Sequence, residues 1–247
     1  MFSKKLSLSL AAVAASIFVA SAAQASFTAS FNAGTGTTST PPSPLVSGSP
    51  VGGLLVIGPT NVTVNGTSGG SLFSISNFTA TSNSPSATTD ATVVGSSVYI
   101  ANTSSAIAKL RIDLVDNGFT APTGSNLQVS TLGTVTWSPT DSTDGTDVVV
   151  AKSVVNGTRY ASTSDTLTGL PLSGNMPLST AMLTTLTADP SYSFGSHITV
   201  TLNPGDSVNV NWTSQVAAVP EPTAASLMGM GGLGALLLLG GRRKIKA

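Results

Sequence analysis

Ile198-Thr199-Val200-Thr201-Leu202-Asn203-Pro204-Gly205-Asp206-Ser207-Val208-Asn209-Val210-Asn211-Trp212 is the stretch from which the fold is read. Its apolar residues Ile198, Val200 and Leu202, and then Val208, Val210 and Trp212, recur at every second position. A period of two puts each set on one face of an extended strand. Between the runs Pro204 fixes one backbone torsion and Gly205 accepts a positive one. The expectation is a β-hairpin.

The same alternation recurs upstream, where Leu110, Ile112 and Leu114 alternate with Arg111 and Asp113. Further strands are expected over 54–57, 61–64, 71–75, 91–100, 129–137 and 147–151, separated by turn signals such as Asn65-Gly66, Asp116-Asn117-Gly118 and Asn156-Gly157. From 26 to 217 the chain is dominated by Ser, Thr, Gly, Val and Asn, without a long stretch of period 3.6. The body therefore reads as mainly β, a single antiparallel β-sandwich of about 190 residues, long enough to bury one core. Two stretches break the pattern. Residues 34–50 are rich in Thr, Ser and Pro, and 170–190 carry Pro171, Gly174, Pro177 and Pro190 around a short helix expected at 179–186. Residues 213–222 read as a stalk.

The ends are of another kind. Lys4 and Lys5, an apolar stretch over 6–20 and Ala23-Gln24-Ala25 form the three parts of a secretory signal peptide, 1–25, with small residues at Ala23 and Ala25 and cleavage before Ser26. At the other end, 224–241 carries no charge and is followed by Arg242-Arg243-Lys244 within the basic tail 242–247. Eighteen residues of helix reach about 27 Å, close to the thickness of a bilayer's hydrocarbon core. The segment reads as a transmembrane helix, with the basic cluster as its cytoplasmic stop and the body on the far side of the inner membrane.

Without the two ends, the body keeps four basic residues against nine aspartates, a net charge of −5. That argues against nucleic acid and anionic membranes as partners. There is no cysteine, so disulfides and thiol chemistry are excluded. Six Asn-x-Ser/Thr triplets, at Asn61, Asn65, Asn77, Asn102, Asn156 and Asn211, are what chance gives in so Asn- and Ser/Thr-rich a chain.

Between body and span stands Val219-Pro220-Glu221-Pro222. The two prolines hold the backbone extended and remove amide donors, which keeps the segment out of helix and sheet and open to an enzyme. With the span and Arg242-Arg243-Lys244 behind it, this constellation, 218–247, resembles the PEP-CTERM sorting signal of Gram-negative bacteria. The resemblance implies recognition by an exosortase, a membrane-embedded transpeptidase-like cysteine enzyme that cuts near the motif, in a setting of exopolysaccharide and biofilm. It covers about the last thirty residues and leaves the body unassigned.

Chemistry is sparse in the body. His197 is the only histidine of the chain, and no Gly-x-Ser-x-Gly elbow singles out a serine to go with it. No catalytic or cofactor-binding residue is assigned. Asp141, Asp144 and Asp147 form the densest acidic cluster, in a turn before a strand, open to reading either as a calcium site or as a solvated loop. Trp137, Trp212, Tyr99, Tyr160, Tyr192, Phe73, Phe78, Phe119 and Phe194 supply either a sugar-stacking platform or the core. The leading expectation is a non-enzymatic surface or matrix protein processed by signal peptidase and exosortase. A carbohydrate-binding module for extracellular polysaccharide is the alternative, and a secreted hydrolase the third.

Overall fold

A computed structural model describes residues 26–35, 45–51, 53–66, 69–84, 89–124, 126–140, 147–166, 173–183 and 191–219. The stretches expected to be a signal peptide, 1–25, a transmembrane helix, 224–241, and a basic tail, 242–247, lie outside them, as do residues 220–222. Thirteen strands are described: β1 Phe27–Thr35, β2 Leu45–Ser47, β3 Ser49–Val51, β4 Leu54–Asn65, β5 Ser71–Ser82, β6 Asp90–Asn102, β7 Ala108–Phe119, β8 Leu127–Ser138, β9 Val148–Val155, β10 Thr158–Thr166, β11 Ser173–Leu183, β12 Tyr192–Leu202 and β13 Ser207–Ala218. They form two antiparallel sheets, a six-stranded one in the order β10-β9-β12-β7-β1-β2 and a seven-stranded one in the order β11-β8-β13-β6-β5-β4-β3. This is the β-sandwich that the alternation predicts.

Its core is the sum of those alternations. Leu110, Ile112 and Leu114 of β7 and Ile198, Val200 and Leu202 of β12 are buried from one sheet, and Val208, Val210 and Trp212 of β13 from the other. Each such side chain contributes about 1.5–3 kcal/mol on burial. Phe31 of β1 meets Phe78 of β5 across the sandwich, edge to face, with centroids 5.1 Å apart. Trp212 lies over Gly95 of β6 so closely that a Cβ there would come within 2.2 Å of its ring. Only glycine leaves room for the indole at that point.

The turn at 203–206 is present, yet the hairpin expected from it is not. β12 pairs with β7 and β9 in one sheet, β13 with β6 and β8 in the other, so Asn203-Pro204-Gly205-Asp206 is an arch between the sheets. Alternation reports which face of a strand is buried. In a sandwich that face turns to the same core whether the next strand lies beside it or opposite.

Other expectations shift for equally local reasons. The helix expected at 179–186 is contradicted over 179–183, which belong to β11: Ser179 pairs with Thr131 and Leu183 with Leu127, after an irregularity between Met176 and Ser179 that takes up Pro177. The open backbone edge of β8 outweighs a weak helical preference. The stalk expected at 213–222 begins later, because β13 runs to Ala218. The stretch 34–50 holds the end of β1, β2 and the start of β3. Asp116-Asn117-Gly118 is the end of a strand rather than a turn, and 54–57 and 61–64 are one strand, β4, with register shifts around Gly58 and Pro59. Asn156-Gly157 is a two-residue hairpin turn between β9 and β10, with φ of 46° and 77°.

Candidate functional site

Three polar places stand out on this frame. The first is on the outer face of the six-stranded sheet, where His197 of β12 lies opposite Asp113 of β7. The His197 Nδ1–H donates to Asp113 Oδ1 at 2.9 Å. Arg111 Nε donates to the same carboxylate, at 2.9 Å from Oδ1 and 2.7 Å from Oδ2. The Thr199 hydroxyl stands 3.3 Å from His197 Nε2. Burial pushes the Asp113 carboxyl up, but hydrogen bonds and charge from His197 and Arg111 outweigh it and hold it below the usual carboxylate range. Hydroxyl, imidazole and carboxylate follow one another as in a hydrolase triad, but the ladders from β12 to β7 and to β9 take up the backbone groups around His197. Acyl transfer also needs donors aimed at a developing oxyanion. The chemistry this face supplies is an ion-paired cluster.

The second place is the end of the sandwich at the arch. Of the acidic cluster expected there, Asp141 and Asp144 lie outside the described residues. Asp147 does not sit in a solvated loop; it is fully buried. Its Oδ1 accepts from the Asn203 amide at 2.8 Å and from Asn203 Nδ2 at 3.1 Å, while its Oδ2 is buried without a donor. Beside it is Asp206, also buried, whose Oδ1 accepts from the Thr140 amide and from Thr140 Oγ1 at 2.6 Å. Burial, partly offset by Asn203 and reinforced by the neighbouring Asp206, raises Asp147 to about 6. Asp206 is the residue that sequence reasoning missed. The arch that brings it to Asp147 was read as a hairpin, which gave no reason to bring the two together.

The third place is a shallow groove of about 410 Å³ on the outer face of the seven-stranded sheet, rimmed by Ser96, Leu132, Thr134, Asn211 and Thr213. Leu132 is half exposed there. Trp212 is the large aromatic among its lining residues, and it is buried rather than presented as a platform. Trp137 and Trp212 are buried, with their Nε1 groups donating to Asp165 Oδ2 at 2.9 Å and Ser196 Oγ at 2.8 Å. Phe73, Phe78, Phe119, Phe194 and Tyr192 are core as well, and Tyr160 is partly buried against it. Tyr99 is the exposed aromatic among the described residues, and its hydroxyl donates to Ser207 Oγ at 3.0 Å.

The two points where the sequence leads one to expect processing lie at the ends of the fold. Ser26 lies directly before β1 and is held by Asn117, whose amide donates to the Ser26 carbonyl at 3.3 Å and whose Nδ2 donates to Ser26 Oγ at 3.2 Å. Val219 lies directly after β13, and its amide donates to the Asn126 carbonyl at 3.0 Å. Ala23, Ala25, Pro220, Glu221, Pro222, Arg242, Arg243 and Lys244 lie outside the described residues.

Fold and site together define an antiparallel β-sandwich protein with two buried aspartates, Asp147 and Asp206, at one end. No family model and no curated protein matches the chain. Among solved structures it is similar to TmCBM61 in complex with beta-1,4-galactotriose, at 10% identity over 58% of this chain and 86% of that one, with a TM-score of 0.30. It is also similar to a cyclase from Fischerella sp. TAU, at 10% identity over 53% and 77% with a TM-score of 0.27. An apo-form cyclase from Fischerella sp. gives 12% identity over 66% and 90%, with a TM-score of 0.28. Similarities of this size carry no information on ligand or activity.

Proposed function

We propose that the chain is an exported, non-enzymatic surface or matrix protein, freed from a C-terminal membrane span at Val219-Pro220-Glu221-Pro222 by an exosortase, in an exopolysaccharide or biofilm setting. One observation supports this above the rest: the two processing points read from the sequence bracket the sandwich. Ser26 and Val219 each make a backbone hydrogen bond to the body, and the strands begin and end one residue inside them. Cuts before Ser26 and just beyond Val219 leave every described strand intact. The motif begins at Val219, directly after β13, so an enzyme that reads Val219-Pro220-Glu221-Pro222 acts immediately beside the body.

The test is processing. Wild-type protein is expected outside the inner membrane with Ser26 as its N-terminus and a mass lacking 224–247. Replacing Pro220, Glu221 and Pro222 by alanine leaves span and basic tail unchanged, so insertion survives and the chain stays membrane-bound at higher mass. If wild type and variant are both full length and membrane-bound, the segment is a permanent anchor and the reading fails.

A second reading, binding of extracellular polysaccharide, draws on the groove of the seven-stranded sheet, where hydroxyl and amide groups of Ser96, Thr134, Asn211 and Thr213 surround the apolar Leu132. Retention of the purified protein on polysaccharide, lost on Asn211→Ala, supports it; equal passage of both proteins sinks it.

A further inference from the structure

We infer that Asp147 and Asp206 form a binding site for a hard divalent cation, calcium by its chemistry, at the end of the sandwich where the arch 203–206 joins the two sheets. The inference is independent of export and cleavage.

Each carboxylate is the last residue before a strand, Asp147 before β9 and Asp206 before β13. Both are at least 99% buried. Each is aimed by two donors on a single oxygen: Asn203 N and Nδ2 hold Asp147 Oδ1, and Thr140 N and Oγ1 hold Asp206 Oδ1. Orientation of one carboxylate oxygen by fixed donors is how proteins present the other to a metal. That other oxygen, Asp147 Oδ2, is buried and accepts from no donor. An orphaned anionic oxygen in the interior is among the costliest groups a fold can hold.

The Asp206 amide donates to the Asn203 carbonyl at 3.2 Å, and the Asn203 amide donates to Asp147 Oδ1, so one turn brings both carboxyls to the same end of the sandwich. Among the described residues the ion pairs are Arg111–Asp113 and His197–Asp113, both on the outer face of the six-stranded sheet. Among the described residues no ion pair involves Asp147 or Asp206. Two buried like charges in contact are tolerated when a proton or a cation sits between them. An all-oxygen set of carboxylates, with no sulfur or imidazole, selects a hard ion, and calcium accepts a shell completed by water. Two protein carboxylates place the affinity in the range of extracellular calcium modules, about 0.1–1 mM. Bound there, the ion ties Asp147, at the entry to β9, to the arch between β12 and β13.

The full chain, purified in detergent and stripped with EDTA, is titrated with calcium chloride while thermal unfolding is followed. The expected result is a rise in Tm of about 3–8 °C at 10 mM calcium, with half-saturation in the range above. Asp206→Asn abolishes the rise, and Asp90→Asn, at the start of β6 beside Ala217, keeps it. Asp206→Glu, which retains the charge should the asparagine variant fail to fold, moves half-saturation upward about tenfold or more. No rise in the wild type overturns the inference and leaves a shared proton as the occupant. A rise whose midpoint is unchanged in Asp206→Glu overturns it too, because calcium then binds elsewhere.

Discussion

β7 carries two carboxylates three residues apart whose surroundings drive them in opposite directions. Asp113 is on the outer face, and His197 and Arg111 more than offset its desolvation, holding its carboxyl below the ordinary range. Asp116 is on the inner face, where burial pushes its carboxyl up and the nearby Ser82 hydroxyl and the Gly118 amide, which donates to Oδ1 at 2.9 Å, only partly offset it. Its Oδ2 is left without a donor. The backbone and the charge are the same, so depth alone does not decide how a carboxylate behaves. What decides is whether the neighbouring groups include a cation, as Arg111 beside Asp113, or only a hydroxyl and an amide, as Ser82 and Gly118 beside Asp116.

The largest expected effect is at Asp113. Asp113→Ala strands a buried imidazole and removes the acceptor of Arg111, and is expected to lose about 2–3 kcal/mol at pH 7 in denaturant unfolding. A loss below 0.5 kcal/mol, by the same rough scale, would show that the outer cluster is ornamental. Next comes Asp116→Asn, which keeps an acceptor for the Gly118 amide and removes a poorly compensated buried charge. It is expected to gain about 1 kcal/mol at pH 7; destabilisation there would mean the carboxylate is satisfied in some other way.

The pH dependence sharpens the contrast further. Asp113 has a lowered folded value, so its stabilisation is complete above the unfolded carboxylate value of about 3.9 and is lost as the pH falls through the folded one. Asp116 has a raised folded value, so its contribution is complete below about 3.9 and is lost as the pH rises through the folded one. Unfolding of Asp113→Asn and Asp116→Asn measured from pH 3 to 7 should therefore diverge from wild type with opposite signs as the pH rises. Curves that run parallel would refute the assignment. The smallest effect is at Arg111, half exposed beside Asp113; Arg111→Gln is expected to cost about 0.5 kcal/mol or less, and to be insensitive to the Asp116 background.

Much of this was legible in the sequence, and the limit falls where distance along the chain begins to matter. Leu110, Ile112 and Leu114 announce a buried face because alternation is local, and Asn156-Gly157 announces its turn because both residues tolerate positive φ. β1 carried the same signal in Phe27, Ala29, Phe31 and Ala33, yet the sequence reading placed no strand there. Asp116-Asn117-Gly118 looks like a turn by composition, but it is pinned as strand by Phe27 pairing with Asp116. His197 with Asp113, and Asp147 with Asp206, are long-range encounters set by strand order. Mistaking an arch for a hairpin was enough to hide the second pair.

β12 and β13, the last two of the described strands to be made, occupy the interior of their sheets. Without β12 the first sheet falls into β2-β1-β7 and β9-β10; without β13 the second falls into β3-β4-β5-β6 and β8-β11. As the chain emerges from its N-terminus, neither layer can close until these strands arrive. The contacts that close them span much of the sequence, which makes assembly slow. A chain interrupted before Tyr192 leaves β7, β9, β6 and β8 with open inner edges, ready to pair with a neighbouring chain. The order of synthesis thus makes completion of the C-terminal strands the event that separates a folded molecule from an aggregating one.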